Sequence, residues 1–217
     1  MWVFPEMHLI PTAYKTLEEK STPLDAPALA GLGPLASELG VWLVPGTVYE
    51  RTEEDRVFNT GLVFNADGDR VAMYRKIFPW RPVEMTDRGV DFEVFDMPGY
   101  GLVGISICYD IWFPEHTRHF AWAGAELVLN LVRTDAADRE QELPIVRANA
   151  IRNQVWIASV NAAAPEGRGR SLVVDPNGML QASSPDASEE VLTVVINFDC
   201  VDEVRRYGTA GVTASRF

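Results

Sequence analysis

Three short, nearly continuous apolar runs, Leu102–Ile107, Leu127–Val132 and Val155–Val160, restrict this chain to few folds. A strand with one wet face alternates apolar and polar residues, whereas a strand covered on both faces need not. Stretches of helical character lie between the runs. Pro114 sits where a first helical position belongs, Phe120 and Ala121 keep helical spacing with His116 and Thr117, and Gly124 is placed to end that helix. Asp138 is placed to cap a longer helix reaching Asn153, with Pro144 in its first turns or kinking it. Buried strands separated by helices predict an α/β fold.

The flanking sequence adds hairpins to this pattern. Val41–Val48 reads as a strand, and Val57–Phe64 and Val71–Arg75 read as two more, joined by the turn Ala66-Asp67-Gly68-Asp69. Leu172–Val174 and Met179–Ala182 flank a second turn at Pro176-Asn177-Gly178, Val191–Asn197 reads as the last strand, and a short helix follows over Asp199–Arg206. Crossover helices mixed with hairpins imply one mixed sheet or two. A length of 217 residues suits a single domain, 1–217, able to bury roughly 70% of its unfolded surface without a metal or disulfide staple.

A net charge of −12 argues against nucleic acid or an anionic membrane as partner, because phosphates would be repelled. Two cysteines, Cys108 and Cys200, are too few for a disulfide framework and favour a reducing cytoplasm. The opening MWVFPEMHLI has no basic segment, and Glu6 interrupts its apolar stretch, so it does not read as a signal peptide. No run approaches the ~18 apolar residues that span a bilayer. A soluble protein is expected.

Cys108 is the leading candidate for chemistry. It ends the strand through Ile107, just before the chain turns toward the helix that Pro114 begins. Side chains at the carboxyl ends of strands in α/β proteins are exposed on a rigid backbone, and the next helix N-terminus favours a thiolate. A buried structural cysteine is the alternative. His116 and His119 should face the solvated side of their helix, which leaves a papain-type dyad without a base. A desolvated carboxylate can take that role when a cation is near. Glu6, after the apolar Trp2-Val3-Phe4-Pro5, and Lys76, before Ile77-Phe78-Pro79-Trp80, are the groups of this kind at strand ends. Ordinary surface residues remain the alternative for each.

Taken together, GISICYDIWFPEHTRHFAWAGAELVLN, YRKIFPWRPVE and VFPEM resemble the cysteine, lysine and glutamate motifs of the carbon–nitrogen hydrolase (nitrilase-like) superfamily, in that family's order. RANAIRNQVWIASVNAA, GRSLVVDPNG and EVRRYG are similar too, so the resemblance covers nearly the whole chain. It implies a four-layer α-β-β-α sandwich with mixed sheets and a homo-oligomer. It also implies a small-molecule amide or N-carbamoyl substrate, with no cofactor and no metal. Cys108 would be the nucleophile and Glu6 the acid and base. Lys76, with the backbone N–H of Tyr109, would hold the oxyanion. Glu84 matches a second glutamate that orients lysine and substrate.

Relatives carry an earlier strand and helix before the glutamate motif, so the resemblance also predicts a missing N-terminal strand and helix. A catalytically impaired binding or assembly subunit is the alternative on that ground. Tyr109-Asp110 after the cysteine is closer to the amidase and carbamoylase branches than to true nitrilases, which have Trp-Glu. Trp112 could line an acyl pocket or pack beneath the loop, and Arg133, beside Thr134, could bind a substrate carboxylate or lie on the surface. Gly99-Tyr100-Gly101-Leu102-Val103-Gly104 has the spacing of a dinucleotide loop but leads into a strand, so a nucleotide cofactor is rejected. Cys108, His116, His119 and Cys200 lack the spacing of a zinc site.

Overall fold

A computed structural model describes residues 1–10 and 16–213. The chain divides into two compact units, Met1–Glu93 and Val94–Phe217. Each is built on its own mixed sheet, as the α/β reading of the sequence expects. No helix among the described residues is long and apolar enough to cross a membrane.

In the first unit the elements run β1 (Trp2–Val3), α1 (Leu17–Lys20), β2 (Ser21–Thr22), α2 (Leu32–Leu39), β3 (Leu43–Val44), β4 (Thr47–Arg51), β5 (Val57–Phe64) and β6 (Arg70–Arg75). The sheet order is β1-β3-β5-β4-β2, with β6 also paired to β5. β5 is therefore central, antiparallel to β4 and β6, and all but its first residue are buried. Leu43, Val48, Leu62 and Phe64 form the core with Leu29 and Ala36, the latter on α2. The β5–β6 turn closes as the Asp67-Gly68 signal predicts: the Asn65 N–H donates to the Asp69 carbonyl, and Gly68 takes φ +92°.

Two sequence expectations are corrected. Val41–Val48 is not one strand but two, β3 and β4, separated at Pro45-Gly46. Gly46 has φ +94°, and a Cβ there would lie 2.2 Å from the Pro5 carbonyl oxygen. The chain breaks at this point to let the segment after β1 pass against it. Val191–Asn197, read as a last strand, makes no strand pairing among the described residues. Val191 and Val195 are exposed, so this apolar run lacks the two-sided cover on which the strand reading rests.

The second unit runs β7 (Val94–Met97), β8 (Gly101–Ile107), a 3-10 turn (Cys108–Trp112), α3 (Pro114–Trp122), β9 (Leu127–Val132), α4 (Arg139–Asn153), β10 (Trp156–Asn161), β11 (Leu172–Val174), β12 (Leu180–Ser183) and α5 (Asp199–Tyr207). Its sheet order is β12-β11-β10-β9-β8-β7, with β8, β9 and β10 parallel and the outer pairs antiparallel. The three apolar runs of the sequence are thus the parallel centre. Phe120 of α3 packs so closely on β8 that a Cβ at Gly104 would meet its ring at 2.8 Å. That contact sets how near the helix after Cys108 can lie to the strand before it.

The buried face of α4 is formed by Arg139, Glu142, Val146, Asn149, Ala150 and Asn153. The spacing is that of one helical stripe, but most of the stripe is polar. Two of its hydrogen bonds reach the turn that Cys108 opens: Asn149 Nδ2 donates to the Ile111 carbonyl at 2.8 Å, and Trp112 Nε1 donates to Glu142 Oε1 at 3.3 Å. Buried polar groups need such partners. The helix is a cradle for that turn.

Candidate active site

In the first unit a charged cluster lies under the ends of β1 and β6. The parallel pairing of β1 with β3 continues through Phe4, whose N–H donates to the Val44 carbonyl. Glu6 follows directly, and Met7 then turns through φ +57° with its N–H on Thr47 Oγ1 at 2.9 Å. Lys76 follows β6, and its N–H donates to the Asn59 carbonyl at 2.9 Å.

Lys76 Nζ donates to Glu6 Oε1 at 3.0 Å and to Glu84 Oε2 at 2.7 Å, with side chains that are 2% exposed for the lysine, 5% for Glu6 and 9% for Glu84. Asn59 Nδ2 donates to both carboxylates at 2.8 Å, to Glu6 Oε1 and to Glu84 Oε1. Glu84 also receives the Trp80 N–H at 3.0 Å.

The two carboxyls are driven apart in acidity. Burial raises the pKa of Glu6, and the Glu84 charge adds to that against the lowering influence of Lys76 and Asn59. Burial works against Glu84 as well, but Lys76, Asn59 and the Trp80 N–H together bring it below the ordinary carboxylate value. One carboxyl is poised to exchange a proton while its neighbour stays charged.

In the second unit Cys108 opens the turn after β8 with φ +46°, a left-handed conformation uncommon for a residue with a side chain. Asp110 Oδ2 holds the turn by accepting the Ile107 N–H at 2.9 Å. Cys108 Sγ lies 3.7 Å from Thr134 Oγ1, and that hydroxyl donates to Glu142 Oε1 at 3.0 Å. Glu142 is in turn paired with Arg139 Nη1 at 2.9 Å, both almost fully buried. Asn161, at the end of β10, accepts the Thr134 N–H on Oδ1 at 2.9 Å, so adjacent strand ends share the support of the turn.

The remaining expected residues fall as follows. Tyr109 packs edge-on against Phe113 at 5.3 Å, and Trp112 is fixed by Glu142. Arg133 is bound to the Glu166 carboxylate, so binding a substrate carboxylate would require it to exchange that partner. His116 is corrected: it is buried rather than on a solvated face. Its ring lies edge-on to Phe120 with Nε2 3.7 Å from Asp110 Oδ2, and burial lowers its pKa. Asn59 and Glu142 belong to these clusters without standing out as motifs in the sequence. Glu142 carried a usable signal, being one helical step from Arg139 on a stripe with Val146 and Asn149.

An α/β chain of two mixed sheets, with a buried acid–ammonium cluster on one and a cysteine on a left-handed strand-end turn on the other, is the class these features define. Residues 1–206 match the family model described as carbon-nitrogen hydrolase, and the chain belongs to that family. It is 28% identical to a formamidase of Bradyrhizobium sp. (strain ORS 278) over 94% of this chain and 62% of the formamidase. It is 35% identical to the deaminated glutathione amidase of Rattus norvegicus over 75% of this chain and 56% of that protein. The chain thus spans less than two thirds of the length of these two relatives. Among solved structures, Nit3 of Saccharomyces cerevisiae, a member of the nitrilase superfamily, superposes with a TM-score of 0.81 at 26% identity, over 94% of this chain and 79% of Nit3.

Proposed function

We propose that this protein hydrolyses the C–N bond of a small amide or N-carbamoyl compound through a thioester on Cys108. The observation that carries this reading is the buried hydrogen-bonded cluster of Glu6, Lys76 and Glu84. Removing two carboxylates and an ammonium from water is costly and does little for stability by itself, which points to chemistry as the reason for keeping them.

In the proposed cycle Cys108 Sγ attacks the carbonyl carbon as Glu6 takes the thiol proton, and the C=O electron pair moves onto oxygen. Lys76 Nζ and the Tyr109 N–H stabilise that oxyanion; a donor of this kind is worth about 3–4 kcal/mol of barrier. Collapse expels the amine, which leaves with the proton from Glu6. Water then attacks the thioester, giving a proton to Glu6, and collapse releases the acid as the proton returns to sulfur. Glu84 keeps Lys76 charged and aimed throughout. Because Glu6 must be ionised to act as base and its pKa is raised, kcat/KM falls on the acid side above the ordinary carboxylate range.

The relatives' names direct the substrate search to formamide first and then ω-amides; the residues after Cys108, which resemble the carbamoylase branch, add N-carbamoyl amino acids. We propose further that the protein works in a reducing cytoplasm, supported by its two cysteines, Cys108 and Cys200, neither of which is in a disulfide. A homo-oligomer is supported by exposed apolar side chains such as Trp122 and Tyr207 on the second unit. The test is ammonia release by the purified protein across these amides and simple nitriles, with Cys108→Ala as control. Turnover that persists in Cys108→Ala removes the proposal.

A further inference from the structure

Asn59 touches every charged member of the cluster. It lies on central β5 and is fully buried. Its carbonyl accepts the Lys76 N–H, and its one amide nitrogen spends both hydrogens on the two carboxylates that grip the Lys76 ammonium. Asn59 Oδ1, by contrast, has no hydrogen-bond partner among the described residues.

The amide cannot relieve that by flipping, because Oδ1 would then face two carboxylate oxygens at hydrogen-bond distance. The amide orientation is thus set by its two donor bonds and not by its acceptor. Glu6 Oε1 accepts from Asn59 and from Lys76, so a hydrogen placed on that oxygen would point into two donors. A proton on Glu6 belongs on Oε2.

Resting on the amidase reading above, we propose that Asn59 is a positioning residue of this site: by binding Glu6 Oε1 and Glu84 Oε1 together it presents Glu6 Oε2 as the oxygen that takes and returns the transferred proton. Asn59 also bears on when Glu6 is charged, since a donor to a carboxylate favours the ionised form. Charged groups facing Glu6 within its unit include Lys76 on the chain after β6 and Glu84 on the loop beyond. His8, two residues along the Glu6 segment, is held toward its neutral form by burial. Loss of the Asn59 donor leaves Lys76 as the cationic partner and moves the Glu6 titration upward.

The experiment replaces Asn59 with leucine, branched at the same carbon and without donors, in the full chain. Two titrations are followed: the Glu6 carboxyl by carbon-13 NMR, and the acid limb of kcat/KM for the best amide substrate. Both are expected to move up by about one pH unit, the size of one charge-assisted hydrogen bond. A purely structural asparagine would lower the urea midpoint and move neither titration; stationary titrations overturn the proposal, whatever happens to the rate. If Asn59→Leu does not fold, Asn59→Ser, with a single donor, is expected to show a smaller shift in the same direction. The NMR titration needs no turnover, so a protein inactive on every amide would sink the amidase reading while still deciding whether Asn59 governs Glu6.

Discussion

The Thr134 hydroxyl donates to Glu142 Oε1 at 3.0 Å, joining the chain just past β9 to the first turn of α4. With its hydrogen held by a carboxylate, the Thr134 oxygen turns a lone pair toward Cys108 Sγ, 3.7 Å away. The sulfur therefore has a fixed polar neighbour that can accept from the thiol.

Thr134→Val keeps the shape and removes that neighbour. The expected loss is about tenfold in kcat/KM, equivalent to one modest hydrogen bond, with a urea midpoint that changes little because Glu142 keeps Arg139 and Trp112. A loss confined to KM would mean that Thr134 contacts substrate without orienting sulfur.

Glu142→Ala acts differently, because it strands Arg139, which is 1% exposed. Breaking a buried ion pair from one side costs about 3–5 kcal/mol. Equilibrium urea unfolding should register that loss, and Arg139→Met combined with Glu142→Ala should recover much of it. Failure of the double variant to recover would show that the Thr134 and Trp112 bonds, not the ion pair, carry the effect.

The two thiols should also separate chemically. Burial raises the Cys200 pKa, and the nearby Asp175 and Glu203 charges raise it further. Iodoacetamide near neutral pH is expected to label Cys108 first and to abolish turnover in step with that label, as read by peptide mass mapping. Faster labelling of Cys200 would count against Cys108 as nucleophile.

Much of this architecture was legible because burial and punctuation leave direct marks. β5 and β9 begin and end where the apolar runs do, α3 starts at Pro114, and α4 ends at Asn153. An apolar run alone does not make a strand. Val41–Val48 hides a left-handed glycine, Gly46, whose need is set by the distant Pro5. Val191–Asn197 has strand composition without a partner. The motifs singled out the Glu6, Lys76 and Glu84 that form the buried cluster of the first unit and the Cys108 that opens the turn of the second; that they act together is the proposal above. Asn59 was not singled out, since within its strand it reads as one polar residue on a buried face, and its partners come from distant parts of the chain. His116 was misplaced because spacing alone does not tell which side of α3 meets β8.

Lys76→Met gives the most discriminating test of the charged cluster. Activity should fall by about 10²–10³ if the ammonium holds the oxyanion, but the stability signature is independent of substrate. In the native protein the Lys76 charge lowers the pKa of both Glu6 and Glu84. Without it, the two buried carboxyls keep neutral donors, Asn59 to both and the Trp80 N–H to Glu84, but lose their shared cation, and both folded-state pKa values are expected to rise above those of the unfolded chain. A group raised in this way binds its proton more tightly when folded. Its contribution is therefore fully present below the unfolded pKa and is lost as pH rises through the folded value. The variant should lie closest to wild type near about pH 4 and fall progressively behind it toward about pH 8, where the unfolded carboxyls ionise freely and the folded ones cannot. Urea unfolding of both proteins across that range measures the gap directly. A gap that stays constant with pH would mean that Lys76 contributes packing rather than charge to this cluster, and its assignment to the oxyanion would lose its physical basis.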